Sequence, residues 1–426
     1  MPELVIKKQT SCADNSEANV LSVDAARQNI FEQIIPLHNY EKLPLKETLN
    51  RILADDIISS INVPGHDNSA MDGYAISGNS IPQSGTRAFT VTGTAFAGTP
   101  YSATCRHEQC IRIMTGAAMP EGTDTVIMQE HVHLDNNTIT IDASHKAGQN
   151  VRLAGEDIAN GAAVLGKGKL LTPADIGIIS SLGIGELKVI RRPRVAFFST
   201  GDELRSIADG SNRPLSTGEI YDSNRYSLYG MLQRLNVDII DMGVVRDDET
   251  SIRNAFAQAS DMADIIITSG GVSVGEADFI KPVLEEIGEI NFWKIAMKPG
   301  RPLTFGQLDN SLFFGLPGNP VSVMVTFYQF VQPAIRYLAS GHIQLPLNLK
   351  ASCSTKLYKR PGRFEFQRGI LSHANDGTLT VEKTGQQGSG VLTSMSRANC
   401  FILLDEISSG VEPGETVTVQ PFDFII

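Results

Sequence analysis

The stretch Asp264-Ile-Ile-Ile-Thr-Ser-Gly-Gly-Val-Ser-Val-Gly-Glu-Ala-Asp278 decides the fold prediction for this chain. It opens with a short β-branched run, Ile265 to Ile267, which is typical of a buried strand. Three glycines follow this run at once: Gly270, Gly271 and Gly275. After the stretch, apolar residues recur at helical spacing until Gly288, which predicts a helix that ends there. A strand, a glycine-rich turn and a helix in this order predict an α/β domain whose turn presents backbone N–H groups.

Two interpretations of the glycine-rich turn stay open. One is a tight turn without a ligand, because glycine-rich turns are common. The other is a phosphate-binding loop, in which Glu276 and Asp278 lie beside a bridging divalent cation.

The same alternation of strands and helices extends on both sides of this stretch. Val195 to Ser199, Val237 to Ile240 and Leu312 to Leu316 are apolar runs of strand length, with helical spacing between them. The run Val321 to Leu338 predicts a long apolar helix that Pro333 kinks. A βαβαβ pattern predicts a parallel sheet with helices on both faces and a ligand at the carboxyl ends of its strands.

Acidic residues follow three of these strands. They lie in Gly201-Asp202-Glu203, in Arg246-Asp247-Asp248 and in Glu276-Ala277-Asp278. Because the carboxyl ends of parallel strands meet at one edge, these loops are expected to gather there. Mg²⁺ takes a few carboxylates together with phosphate oxygens, so the pattern predicts a divalent cation site.

A cationic group and a rigid loop come later in the same domain. Lys294, Lys298 and Arg301 lie close together in the chain, with two of them on backbone stiffened by prolines. The loop Gly315-Leu-Pro-Gly-Asn-Pro320 precedes the long helix, so it lies at a helix N-terminus. Both features suit an oxyanion or a phosphate, although surface solubility and a purely structural loop remain alternatives.

The remaining segments divide the chain into five parts. Helical spacing from Ser22 to Asp56 and from Thr172 to Ser181 predicts two halves of one helical domain, with short alternating strands inserted between them. Short strands after Gln344 predict a small β barrel or sandwich. The predicted parts are a flexible N-terminus, a split helical linker domain, an inserted β-rich domain, an α/β domain and a C-terminal β barrel: 1–21, 22–58 with 156–192, 59–155, 193–342 and 343–426.

Composition limits the classes of function. The chain has 426 residues, 42% hydrophobic and 19% charged, which is typical of a globular protein of several domains. The formal net charge of −11 argues against a general nucleic-acid or anionic-membrane binder. No apolar run has the length of a membrane span, and the five cysteines include no C-x-x-C pair, so a reduced cytoplasm is expected. Cys105, His107 and Cys110 are either ordinary strand residues or part of a zinc site. No second ligand pair accompanies them.

Six motifs in one order carry a family resemblance. They lie at Asp67–Ala75, Ile113–Ala117, Gly155–Ile158, Ser199–Leu204, Ser269–Asp278 and Gly315–Pro320. Together they resemble the molybdopterin molybdenumtransferase family, which includes MoeA of bacteria and the C-terminal part of gephyrin of animals. The resemblance extends from about Ser22 to the C-terminus. It departs at His66, where an aromatic residue such as Phe is common.

The resemblance implies an enzyme of molybdenum cofactor biosynthesis. Such a transferase inserts molybdate into adenylylated molybdopterin, cleaves the pyrophosphate link with the help of Mg²⁺, and releases molybdenum cofactor and AMP. The resemblance also implies an elongated homodimer whose sites are shared between chains. Expected partners are a molybdopterin adenylyltransferase and molybdoenzyme maturation factors, with no nucleic acid and no membrane.

The resemblance implies the expected site residues, and the residue patterns described above agree with it for the acids, the glycines and the cationic group of the α/β domain. The expected catalytic residues are Asp72, Thr115, Asp157, Glu203, Asp247 and Asp278, and the expected Mg²⁺ ligands are Glu203, Asp247 and Asp278. The expected substrate-binding residues are Gly201, Ser269, Gly270, Gly271, Gly275, Lys294, Lys298, Arg301, Pro317, Pro320, Arg368 and Ser389. The hydroxyl of Thr115 is expected to hydrogen-bond an oxyanion, and no side chain is needed as a covalent nucleophile.

Two other functions remain open at this point. One is a pterin adenylyltransferase, which shares the α/β pattern. The additional domains and the Asp72 loop argue against this alternative. The other is a non-catalytic scaffold that holds the pterin or anchors a partner. Turnover of adenylylated pterin with molybdate distinguishes the three.

Overall fold

The computed structural model describes residues 20–207, 213–270, 279–422 and 426. The chain divides into two compact units. One unit contains residues up to 41 together with residues from 190 onwards, and the other contains residues 42–189. Among the described residues, no helix is both long enough and apolar enough to cross a membrane.

The first unit is built on a mixed sheet of seven strands. In spatial order they are Val20–Leu21, Glu289–Ile295, Pro302–Leu308, Ser311–Leu316, Ile265–Ser269, Arg194–Thr200 and Asp238–Val245. The last four strands are parallel, which confirms the α/β prediction for that part. The sheet continues antiparallel because Pro302–Leu308 and Ser311–Leu316 form a hairpin, with Leu308 opposite Ser311. A two-residue turn can only reverse the chain, whereas a parallel pair needs a long crossover.

Helices cover both faces of this sheet. They are Val23–Gln33, Ser223–Arg234, Glu249–Met262, Ile280–Ile287, Pro320–Thr326, Gln332–Ser340 and, beside the barrel, Leu392–Arg397. Successive strand residues point to opposite faces. Phe197 accordingly packs in the core that includes Leu228 and Val325, while Phe198 packs in the core that includes Phe256 and Leu284. Helix Ile280–Ile287 ends at Gly288, as its spacing predicts.

The long apolar helix contains a widened turn. Residues 320–340 run from Pro320–Thr326 through the π-helical turn Phe327–Val331 into Gln332–Ser340. Pro333 is the second residue after the widened turn. A proline inside a helix removes one hydrogen bond and crowds the carbonyl four residues earlier, so a wider turn there relieves the crowding.

The N-terminal helix is shorter than its spacing predicts. It spans Val23–Gln33, with Ser22 capping it, and the chain is extended at Ile34. The predicted continuation to Asp56 is wrong, since Pro36 and Pro44 interrupt the pattern and disfavour helix at the residues before them. Val23, Ala26 and Ile30 pack in the core of the first unit.

The second unit contains a six-stranded sheet and one α-helix. In spatial order the strands are Thr125–Met128, Gly73–Ile76, Gln109–Ile113, Thr86–Ala95, Thr138–Asp142 and His133–Asp135. Shorter pairs join Asn68–Ser69 to Val151–Arg152, Ile57–Ile58 to Ala163–Leu165, and Tyr40–Pro44 to Glu186–Ile190. The predicted helix after Thr172 is present as Pro173–Ser181. It starts at a capping box between Thr172 and Asp175, and its Ile179 packs with Leu53 and Ile57.

The C-terminal part is a closed barrel of five strands. They are Leu349–Cys353, Phe364–His373, Leu379–Lys383, Cys400–Leu404 and Thr416–Pro421, and each pairs with two of the others. The prediction of a small β barrel is confirmed. Three short pairs complete the unit: Met297–Lys298 beside Phe364–His373, Leu357–Tyr358 with Gly410–Val411, and Leu204–Arg205 with Ile220–Tyr221. The five predicted domain boundaries stay predictions.

Candidate functional site

Four parallel strands of the first unit end at one edge of the sheet. Their last residues are Thr200, Val245, Ser269 and Leu316, and the motif loops follow them directly. The hydroxyls of Ser199 and Ser269 lie 2.9 Å apart in the buried interior, so two of the neighbouring strand ends are joined by side chains as well. This edge is where α/β sheets bind their ligands.

Glycine is required at two positions of this edge. Gly270 has φ +92°, and a Cβ there would lie 2.7 Å from the carbonyl oxygen of Thr200. Gly201 has φ +149°, and a Cβ there would meet the carboxylate of Glu203. The N–H of Gly270 donates to the carbonyl of Leu316 at 3.2 Å. The backbone of the two turns is therefore closely packed, as a phosphate-binding edge needs. The predicted residues Gly271, Gly275 and Asp278 lie outside the described residues.

Carboxylates gather after the outer strands of this edge. Burial and the negative charges of Asp202, Glu203 and Asp248 raise the pKa of Asp247 above its usual range. The two loops predicted to meet, after Thr200 and after Val245, therefore do bring their acids together. Asp202 also acts on Asp247. It is not among the expected site residues, although it lies in the same loop as Glu203.

The four acids do not all have the same surroundings. Asp248 caps helix Glu249–Met262, accepting hydrogen bonds from the backbone N–H and the hydroxyl of Ser251 at 2.9 and 2.7 Å. Its carboxylate is thus engaged in the helix start, and these donors lower its pKa. Among the described residues, no hydrogen-bond donor offsets the burial and the like charges that raise the pKa of Asp247.

A metal ion fits this cluster by charge. Among the described residues, no three acidic, histidine or cysteine side chains are arranged closely enough to hold a metal by themselves. Glu203 and Asp247 are described and lie near each other, whereas the third expected ligand, Asp278, lies outside the described residues. A divalent cation would relieve the repulsion that raises the pKa of Asp247.

A cationic cavity lies at the other end of the edge. It has a volume of about 510 Å³, and its lining includes Lys298, Arg301, Pro317, Asn319 and Ser389. Lys294 is not among the lining residues of the described chain. It lies on strand Glu289–Ile295, opposite Pro302. Pro320 begins helix Pro320–Thr326, next to Asn319 at its N-cap.

Arg368 supports the wall of this cavity from the barrel. Its guanidinium donates to the hydroxyl of Ser394 at 3.0 Å and to the carbonyl of Gly388 at 3.1 Å. The carbonyl of Ser389 accepts from the N–H of Val321 at 3.0 Å. Burial lowers the pKa of Arg368 to about 10. Arg368 lines a second cavity of about 220 Å³, together with Lys298, Tyr358 and Lys383.

Asn224 is a residue of the site that sequence reasoning missed. Its amide donates to the carbonyl of Gly318 at 2.8 Å, which holds the proline-rich loop against helix Ser223–Arg234. Its side-chain oxygen and one carboxylate oxygen of Asp222 are buried without a hydrogen-bond partner among the described residues. Asp222 caps the same helix through its other oxygen. The sequence gives only an Asp at a helix start, two residues before this Asn, and its burial is known from the structure alone.

In the second unit, Asp72 and Thr115 form a tight pair. Asp72 accepts hydrogen bonds from the backbone N–H of Thr115 at 2.7 Å and from its hydroxyl at 2.8 Å. These donors lower the pKa of Asp72. The hydroxyl of Thr115 was expected to donate to an oxyanion. In the structure it donates to the carboxylate of Asp72, because an ionised carboxylate is a strong acceptor.

Hydrogen bonds from backbone N–H groups connect the first motif of this unit to the second motif and to the residue before the third. The N–H of Gly116 donates to Ser69 at 2.8 Å, and the N–H of Ala154 donates to the carboxylate of Asp67 at 2.7 Å. Asn68 pairs with Arg152 across two short strands. A cavity of about 490 Å³ is bounded by these segments, and it is lined by Val63, Pro64, Asn68, Arg152, Glu156 and the expected site residue Asp157.

The alternative zinc site is not supported by the surroundings of its residues. Cys105 and Cys110 are buried, and the thiol of Cys105 donates to the carbonyl of Gln109. Burial raises the pKa of Cys110 to about 12, which opposes the thiolate form that zinc requires. His107 is largely exposed and contacts Arg87 at 3.0 Å.

Comparison with known families agrees with this arrangement. Residues 21–183 match the MoeA N-terminal region (domain I and II). Residues 196–337 match a probable molybdopterin binding domain, and residues 350–422 match the MoeA C-terminal region (domain IV). The three matches cover both described units and the barrel.

Relatives of known name match over most of their length. A molybdopterin molybdenumtransferase of Haemophilus influenzae is 46% identical over 409 residues, covering 96% of this chain and 100% of the relative. One from Nostoc is 35% identical, covering 92% and 91%. Gephyrin of Dictyostelium discoideum is 34% identical, covering 94% of this chain and 62% of gephyrin.

A solved structure has the same architecture. The crystal structure of a molybdopterin biosynthesis moeA protein from Pyrococcus horikoshii superposes with a TM-score of 0.82 at 28% identity, covering 95% of this chain and 100% of that one. The chain belongs to the MoeA family, and it is a transferase of molybdenum cofactor biosynthesis that acts on molybdopterin and molybdate.

Proposed function

We propose that this protein inserts molybdate into adenylylated molybdopterin, with Mg²⁺-dependent cleavage of the pyrophosphate link and release of molybdenum cofactor and AMP. One observation carries the proposal. An acid cluster and a cationic cavity lie along the same edge of one parallel sheet. The pyrophosphate of the substrate needs the acid cluster with its cation, and the oxyanion co-substrate needs the cationic cavity. The two environments must be close together but separate.

The distance along the edge suits such a substrate. The loop after Val245 carries the acids, and the loop after Leu316 lines the cavity. Their strands are three places apart in the sheet, with two strands between them. Neighbouring strands are about 4.8 Å apart, so the two loops start roughly 14 Å from each other. A dinucleotide-like molecule, extended across the glycine turns, covers that distance.

The acids have a defined part in this proposal. Glu203 and Asp247, together with Asp278 as the third expected ligand, would hold the cation. When bound, Mg²⁺ neutralises the pyrophosphate and stabilises AMP as the leaving group. Gly201 and Gly270 give the two turns the positive φ that their close packing against Glu203 and Thr200 requires.

The cations have the complementary part. Lys298 and Arg301 bind molybdate in the cavity, which Ser389 also lines. An oxygen of molybdate attacks the phosphorus of the AMP group, a P–O bond to molybdate forms, and the bond from this phosphorus to the bridging oxygen breaks, so the pterin keeps its own phosphate. The two dithiolene sulfurs then bind molybdenum, AMP leaves with the attacking oxygen, and a second molybdate oxygen leaves as water with the two thiol protons. No side chain is needed as a covalent nucleophile, so the protein acts by positioning and by charge.

The assembly and location of the enzyme are part of the same proposal. We infer from the family resemblance that two copies form a homodimer with sites shared between chains, in the cytoplasm. A molybdopterin adenylyltransferase would supply the substrate, and molybdoenzyme maturation factors would receive the product. The scattered cysteines support a reducing compartment.

The deciding experiment is turnover of purified adenylylated molybdopterin. AMP release is followed with and without molybdate, and with and without Mg²⁺. The proposal expects AMP release to require both. AMP release without molybdate would indicate a hydrolase, adenylylation of molybdopterin from ATP would indicate an adenylyltransferase, and binding without turnover would indicate a scaffold.

A further inference from the structure

Lys298 lies at the junction of two cavities. Its side chain lines both the cavity of about 510 Å³ and the cavity of about 220 Å³, which share Pro299 and Gln387 as well. The ammonium group is half exposed, with 50% of the side chain accessible. A lysine in this position has room to redirect its charge from one cavity to the other.

Glu365 holds the ammonium group of Lys298 from the side of the smaller cavity. The two residues are cross-strand neighbours between Met297–Lys298 and Phe364–His373. One carboxylate oxygen of Glu365 lies 3.2 Å from the Lys298 nitrogen. The other accepts from the amide of Gln367 at 3.0 Å. Glu365 is buried and held by two hydrogen bonds, whereas the side chain of Lys298 is half exposed.

Two more cations act on Glu365, but hydrogen bonds hold them elsewhere. Lys359 donates to the carbonyls of Arg360, Glu406 and Ser408 at 3.2, 3.4 and 3.1 Å. Arg368 donates to Ser394 and to Gly388. Burial lowers the pKa of Lys359 and the pKa of Arg368, whereas the negative charge of Glu365 raises both. Of these three cations, Lys298 is the one that hydrogen-bonds Glu365 directly and is half exposed.

We propose that Glu365 is the resident counter-ion of Lys298, that an incoming oxyanion displaces it, and that Glu365 thereby limits the affinity of the site for molybdate. This inference rests on the proposed function, since it assumes that molybdate binds beside Lys298. A single ammonium charge is shared between the fixed carboxylate and the oxyanion. The carboxylate also repels the dianion directly, which weakens binding further.

Limited affinity has a chemical advantage in a transfer reaction. An oxyanion bound too tightly in the ground state gains no rate, because binding that is equal in the ground and transition states leaves kcat unchanged. Glu365 lowers ground-state affinity without contacting the reacting atoms. It is a specificity-determining and positioning residue rather than a catalytic one.

The test measures molybdate binding by calorimetry to the full-length wild-type protein and to Glu365→Gln. The substitution keeps the shape of the side chain and removes its charge. We expect the Kd for molybdate to fall about tenfold, which is the low end of the coupling measured between close charges. In turnover assays the KM for molybdate falls by a similar factor, and kcat does not rise.

Three further variants separate charge from structure. Glu365→Asp keeps the charge and is expected to bind molybdate with nearly wild-type affinity. Glu412→Gln, which removes the partner of exposed Lys356 on the same barrel, is expected to change nothing. In a Lys298→Met background, Glu365→Gln is expected to change the Kd by less than it does in the wild type, since Glu365 acts mainly through Lys298.

The outcomes are distinguishable. Unchanged or weaker molybdate binding in folded Glu365→Gln overturns this inference and leaves the proposed function standing. A wild-type protein that binds no molybdate at all overturns the proposed function together with the inference. The unfolding temperature of each variant establishes that it is folded before binding is compared.

Discussion

The carboxylate of Asp72 accepts two hydrogen bonds from Thr115, one from the backbone N–H and one from the hydroxyl, at 2.7 and 2.8 Å. Two motifs 43 positions apart in the chain are joined in this way. The pair fixes an exposed carboxylate in one orientation. Thr115 thus orients Asp72, and a role of Asp72 toward the substrate stays a prediction.

The first prediction concerns the ionisation of Asp72. Its lowered pKa means that the folded state favours the carboxylate. The resulting stability is present above the ordinary pKa of an unfolded Asp and is lost as the pH falls through the lowered pKa of the folded state. Thr115→Val removes the hydroxyl donor, so the pKa of Asp72 is expected to rise toward its ordinary value in an NMR titration. Thr115→Ser keeps the hydroxyl and is the matched control; an identical titration of all three proteins contradicts the assignment.

The second prediction concerns the acid cluster. Glu203→Gln or Asp278→Asn is expected to lower turnover at least tenfold while the protein stays folded. A tenfold loss corresponds to ~1.4 kcal/mol of transition-state stabilisation, which one metal-facing carboxylate supplies. Turnover is measured at saturating and at limiting Mg²⁺. Glu286→Gln removes an acid that pairs with Arg253 on a helix surface and serves as control. Unchanged turnover in both site variants at both Mg²⁺ levels would count decisively against the cluster.

The third prediction separates the two substrates. Lys298→Ala is expected to raise the molybdate concentration needed for half-maximal rate more than it weakens binding of the pterin, because Lys298 lines the cationic cavity. The KM of each substrate is measured at saturating concentration of the other. Lys356→Ala, an exposed lysine of the barrel, is the control. Equal weakening for both substrates would make Lys298 a general electrostatic contact instead.

The fourth prediction concerns the close approach at Gly270. Alanine there is strained by the positive φ and meets the carbonyl oxygen of Thr200. The strain alone costs about 1–2 kcal/mol, so Gly270→Ala is expected to lower both the free energy of unfolding and turnover. Gly230→Ala, in helix Ser223–Arg234 with open space at the Cβ, is expected to stabilise by about 0.5–1 kcal/mol. Chemical denaturation measures both; equal stability of the two variants would refute the close contact.

The fifth prediction tests sites shared between chains. Asp72→Ala and Glu203→Ala chains are each expected to be inactive alone. In a mixed dimer with shared sites, both lesions fall in one site and the other site is wild type. Random pairing makes about half the dimers mixed, so co-expression is expected to restore roughly a quarter of wild-type activity. If each site lies within one chain, activity stays at the level of the single variants, and the shared-site proposal is abandoned.

Local sequence determined the elements of this protein well. The β-branched run at Ile265 forms a fully buried strand, Thr172 caps its helix, and the short strands after Gln344 form a barrel. These features depend on neighbours in the chain, through side-chain shape, spacing and backbone hydrogen bonds. The motif loops after Thr200, Ser269 and Leu316 lie at the carboxyl edge of the sheet, as the strand pattern predicts.

Only the tertiary structure decided which charges meet. The repulsion on Asp247, the pairing of Lys298 with Glu365 and the bond from Asn224 to Gly318 join residues far apart in the chain. The same is true of Thr115, whose hydroxyl donates to Asp72. Electrostatic interactions depend on distance through space and on burial, and neither follows from spacing along a sequence. Sequence thus determined the strands, helices and turns that carry the expected site residues, whereas packing of the sheet and the barrel decided the partner of each side chain.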